Sequence, residues 1–152
     1  MLLKSTTRKL ALAALLAGTM LGATAVPAVA QATNGATGTW GAAPWAYKNW
    51  ARIDNGVNAK TAITNVQNTS QPFAPAFSMQ ANARLYRSDT NALCTASGYI
   101  TNGVTTTVLT VSTNHSYCVL NGLHYSLGQT KTIASGGGTL TYATYIAGPL
   151  TF

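Results

Sequence analysis

Hydrolytic chemistry needs a placed acid, base or nucleophile, and this chain offers few groups to supply one. Its only acidic side chains are Asp54 and Asp89, and its histidines are His115 and His124. Two facing carboxylates would make a glycosidase pair. Each aspartate, however, stands in a turn-like run, Ile53-Asp54-Asn55-Gly56 or Ser88-Asp89-Thr90-Asn91, where Asp bonds its own backbone. A Ser-His-Asp triad lacks the G-x-S-x-G context that would announce it. His115 and His124 lack companion ligands for a metal, so both are expected in structural roles. Cys94 and Cys118, the only cysteines, leave a zinc ion short of ligands. The inventory predicts no catalytic residues, no metal ligands and no cofactor.

What the chain concentrates instead is aromatic surface. Trp40, Trp45 and Trp50 are all of its tryptophans, with Tyr47, Lys48 and Arg52 set among them. Trp, Tyr and Arg dominate interface hot spots because they bury much area yet keep a polar tip. This pattern predicts a partner-binding segment that docks by strand addition or cleft insertion. Two other uses are open. The tryptophans could instead complete a core, since Trp is usually well buried, or they could stack on sugar rings in a cell-wall-binding module.

The elements that must position these residues begin after a leader. Lys4, Arg8 and Lys9 precede an apolar run from Leu10 to Leu21, and Ala28-Val29-Ala30 offers small residues at a cleavage site. That order is a secretory signal peptide over 1–30. The apolar run is shorter than the roughly 20 residues that span a bilayer. A secreted, extracellular protein without stable membrane insertion is expected. In an oxidising compartment Cys94 and Cys118 are expected to form a disulfide. In the chain-entropy model such a loop contributes about 3–4 kcal/mol.

Residues 31–58 then read as a flexible Gly/Trp-rich arm, with 31–39 small and polar and with Gly41 and Pro44 breaking any helix. From 59 to 152 the grammar is β, rich in Thr, Val, Ile and Tyr. The clearest strand is 77–86, with Phe77, Met79, Ala81, Ala83 and Leu85 on one face and Ser78, Gln80, Asn82 and Arg84 on the other. Further strands are expected near 60–67, 93–101, 104–112, 117–120, 123–127 and 139–147. Asn102-Gly103 and Asn121-Gly122 each read as a type I′ hairpin turn. The expectation is an all-β fold, a single antiparallel β-sandwich of about seven strands with one disulfide. Strands so few and short do not suit a membrane barrel.

After the leader, Lys48, Arg52, Lys60, Arg84, Arg87 and Lys131 face only Asp54 and Asp89. This modest, dispersed positive charge suits attraction to an anionic cell-wall polymer or acidic protein patch, and not nucleic-acid recognition. It equally suits simple solubility.

A cleavable leader, a short Gly/Trp-bearing extension and a small two-cysteine β domain together resemble the adaptor subunits of the secreted umbrella toxin particles of filamentous actinobacteria. The resemblance is one of organisation over the chain after its leader. It implies a non-enzymatic adaptor in an interbacterial toxin complex, linking a lectin-like subunit to a repeat-bearing one, with the N-terminal extension entering a cleft of its partner. Gly38-Thr39-Trp40 is also similar to the start of lactococcin 972-type bacteriocins. Those lack the cysteine pair and have no counterpart of residues 101–152. The expected partner is another secreted protein, with cell-wall polysaccharide, a bacteriocin-like role and enzyme inhibition as alternatives.

Overall fold

Period-two alternation organises the chain well before residue 59. In the computed structural model, Tyr47, Asn49, Ala51 and Ile53 turn inward while Lys48, Trp50, Arg52 and Asp54 face out, the signature of a strand covered on one side. The structure describes residues 31–55, 60–114, 122–134 and 136–151. The leader, His115 and Cys118 lie outside the described residues.

Eleven strands are described: β1 (Gln31–Asn34), β2 (Gly38–Trp40), β3 (Tyr47–Asn55), β4 (Lys60–Asn68), β5 (Met79–Arg87), β6 (Leu93–Ala96), β7 (Ile100–Thr101), β8 (Val108–Asn114), β9 (Leu123–Ile133), β10 (Thr139–Ala143) and β11 (Ala147–Thr151). No helix occurs among the described residues. The strands form two antiparallel sheets, as the sequence led one to expect. The front sheet runs β1-β3-β4-β8, with β2 also on β3. The back sheet runs β10-β9-β5-β6, with β11 also on β9 and β7 also on β5. Two short strands in series fill each of three outer positions, so the strands outnumber the seven anticipated. Pairing shifts where β1 gives way to β2: Asn34 pairs with Arg52, but Gly38 pairs with Asn49. The extra residue makes a bulge that bends the edge.

The core lies between the sheets and is built from small and polar side chains as much as large ones. Trp40, Tyr47, Ile53, Val66, Met79, Leu85 and Val111 are joined by alanines 51, 62, 74, 81, 83 and 147. Thr64, Thr130, Thr132 and Ser126 are buried among them. Such a core lets the sheets approach closely. At Gly128, mid-strand in β9, an added Cβ would run into the Thr64 hydroxyl and the Asn82 carbonyl.

Several expectations are corrected. Residues 31–55 are not a flexible arm: β1 and β2 supply the ladder partner that the outer edge of β3 needs, and Gly35 N–H donates to Ala51 O at 2.9 Å across the bulge. Asp54 belongs to strand β3 and not to a turn, whereas Asp89 does sit in the turn after β5. The Asn102-Gly103 hairpin is absent. β7 pairs with β5 in the back sheet and β8 with β4 in the front, so the chain crosses between sheets there. Gly103 is not among the residues with positive φ, whereas Gly122 has φ 120°. The second expected hairpin pairs 117–120, outside the described residues, with 123–127. Both edges of β9 are already taken, by β5 and by β11 with β10.

Candidate functional site

The aromatic cluster divides between the interior, its margin and the outward side of β3. Trp40 is buried, stacks on Tyr142 with centroids 4.5 Å apart, and donates its indole N–H to Thr132 Oγ1 at 3.0 Å. Tyr47 lies beside it at 6.1 Å and is likewise buried. Burial raises the Tyr47 phenol above its ordinary pKa, with Ser78 and Asn68 partly offsetting the shift. Trp45 packs half-buried against the core. Lys48, Trp50 and Arg52 stand on the outward side of β3, where the Lys48 ammonium lies 5.6 Å from the Trp50 ring and Arg52 pairs with Asp54. The six residues expected to form one docking segment therefore do not meet on one surface. Cys94 sits half-buried on β6 against the core, and its expected partner Cys118 is outside the described residues. His124 is fully buried, its Nδ1 3.0 Å from Gly122 O. No group of three or more His, Cys, Asp or Glu side chains gathers among the described residues.

A different edge draws attention. Phe77, assigned by alternation to the inward face of a strand, lies just before β5 with φ 62° and is 70% exposed. A bulky side chain in the left-handed region is an outlier that its surroundings must hold in place. The holder is Asn102, whose side chain is buried. Its backbone carbonyl oxygen accepts from Phe77 N–H at 2.7 Å, its side-chain Oδ1 accepts from Met79 N–H at 2.8 Å, and its Nδ2 donates to Pro75 O at 2.6 Å and Val104 O at 3.2 Å. A reciprocal backbone pair between Ala74 and Thr106 ties the same two loops together. These fixed loops and the adjoining β7 carry Phe73, Phe77, Ile100 and Val104, all of them exposed.

Beside Phe77 a cleft of about 380 Å³ opens over the back sheet, walled by Gln80, Lys131, Ile133, Thr139 and Thr141. Further along the same face, Tyr86 and Tyr125 stack at 5.1 Å. Burial, and then the neighbouring Tyr86 charge, raise the Tyr125 pKa. In the turn beyond, Arg87 hydrogen-bonds Asp89 and holds its carboxyl below the usual carboxylate value.

Sequence reasoning did not find this edge. The available signal was Asn102 beside the Pro72 and Pro75 loop, read as a hairpin turn when it is a buried clamp. No protein-family model, no curated protein and no solved structure matches the chain.

Proposed function

We propose that this is a secreted, non-enzymatic binding module, an adaptor that docks another secreted protein. Its support is one observation: a strained, outward Phe77 held by a buried clamp among exposed Phe73, Ile100 and Val104. Rigid aromatic and aliphatic groups presented at low entropic cost are what interface anchors require. The backbone strain at Phe77 has an account if that ring is an anchor, since strain persists where function or the surrounding structure maintains it. The resemblance to the umbrella-particle adaptors agrees with the role and differs in the contact, because the segment expected to enter a partner's cleft is here strand and core. The proposal includes cleavage after Ala30 and a bridge between Cys94 and Cys118.

The test is capture of the partner from culture supernatant on the tagged secreted protein. A defined protein partner is expected, and Val104→Asp or Phe73→Asp should reduce its recovery at least tenfold while leaving the β circular dichroism intact. Recovery unchanged by both substitutions contradicts the assignment.

A further inference from the structure

We infer that the outward face of the back sheet is a second binding site, made for an anionic glycopolymer. Asp54 and Asp89 are the only acidic side chains in the chain, and Arg52 and Arg87 take one each. Arg84 and Lys131 are therefore left without a carboxylate side chain to neutralise them. Both lie on this face, on β5 and β9, and Gln129 and Tyr99 together connect them. Arg84 Nη2 donates to Gln129 Oε1 at 3.1 Å, and the Tyr99 hydroxyl donates to the same oxygen at 2.9 Å. The Lys131 ammonium sits 4.0 Å from the centre of the Tyr99 ring. A neutral amide and a tyrosine thus hold two cations in place while leaving their charge available, which is pre-organisation for an anion.

The surroundings specify the rest of the ligand. The cleft of about 380 Å³ beside Lys131 has amide and hydroxyl walls, Gln80, Thr139 and Thr141, under the apolar rims of Phe77 and Ile133. That volume falls within the range of small-molecule clefts, about 300–1,000 Å³. Amides and hydroxyls match sugar hydroxyls in hydrogen bonding, and exposed rings match the apolar face of a sugar. From Gln80 to Tyr86 the face extends about 20 Å along the strand, long enough for successive units of a polymer. Nucleic-acid surfaces instead cluster many Lys and Arg, and this face carries two separated cations among neutral groups. The anionic group is the carboxylate of a uronic acid or the phosphate of a polyol-phosphate chain.

The experiment is titration calorimetry of the secreted protein with polygalacturonate and with polyglycerol phosphate. Neutral dextran, dextran sulfate and an oligothymidylate serve as comparisons. Binding to either or both of the first two is expected, and the one bound more tightly identifies the anion. Lys131→Gln and Arg84→Gln should each weaken it about tenfold, the loss of one charge-assisted contact. Val104→Asn, which alters the docking edge without adding a charge, should leave it unchanged, because only Phe77 is common to the two surfaces. The inference is overturned if neither polymer binds, if neutral dextran binds equally, or if dextran sulfate or the oligonucleotide binds tightest. Undiminished binding by folded Lys131→Gln and Arg84→Gln variants overturns it as well.

Discussion

Trp40 separates the two roles that its sequence neighbourhood invites. As a docking side chain, its loss would cost partner affinity and spare the fold. The structure instead places it at 9% exposure between the sheets, stacked on Tyr142 and donating a hydrogen bond to buried Thr132. Truncating a buried Trp to Ala typically costs about 3–5 kcal/mol, for lost transfer energy and the cavity left behind. About 1 kcal/mol of this belongs to the ring stack and about 1 kcal/mol to the hydrogen bond. Trp40→Phe keeps much of the burial and loses the N–H donor, so it should cost only about 1–2 kcal/mol. Against a total stability of about 5–15 kcal/mol, the alanine variant gives up a large share. Urea unfolding followed by far-ultraviolet circular dichroism reads both variants without depending on tryptophan emission. A loss below about 1 kcal/mol for Trp40→Ala would refute the placement of this side chain in the core.

Asn102→Ala removes three side-chain hydrogen bonds, to Met79 N, Pro75 O and Val104 O. It should destabilise by about 3 kcal/mol in urea unfolding, because the buried Met79 N–H is left unmet and two part-buried bonds to carbonyls are lost with it. It should also weaken partner capture, by releasing the Phe77 loop. Alkaline titration followed by circular dichroism should show stability in full below the free phenol value of 10.0 for Tyr47 and falling as pH rises through its raised folded pKa. In Tyr47→Phe that contribution to the decline should disappear. Thiol titration of the denatured, unreduced protein should find no free thiol, and the double change Cys94→Ser with Cys118→Ser should cost about 3 kcal/mol in the unfolding midpoint. Two titratable thiols or an unchanged midpoint would contradict the bridge.

How far the sequence discloses the fold depends on whether polarity and direction agree along each strand. β5 was legible because Met79, Ala81, Ala83 and Leu85 are both apolar and inward. β3 was hidden because its pattern inverts: Asn49 points in, donating to Thr130 Oγ1 at 2.9 Å, while Trp50 points out. A polar residue satisfied inside and an aromatic one outside erase the hydrophobic alternation, although the backbone period is intact. The Asn102-Gly103 pair failed for a different reason. Its local preference for a turn is real, but β7 and β8 find their ladders in opposite sheets. The chain therefore crosses over where a hairpin was expected. At the candidate site, extending the alternation of β5 back by one step put Phe77 inside. One left-handed residue before the strand reverses that direction, and period-two reasoning has no means of seeing it. The cations of the back sheet were visible only as members of a dispersed set, because their link through Gln129 and Tyr99 joins residues far apart in the chain.

The central claim is that the protein meets its partner through the Phe77 edge and not through the tryptophan segment. Site-specific photocrosslinking in the producing culture tests it most directly, with benzoylphenylalanine placed at position 104 in one strain and at position 50 in another. Both positions carry outward or partly outward side chains in folded strands or loops, so neither replacement enters the core. A crosslinked species of one defined larger mass from position 104, and none from position 50, is the predicted result. Crosslinking from position 50 alone would contradict the claim and return the contact to the outward face of β3.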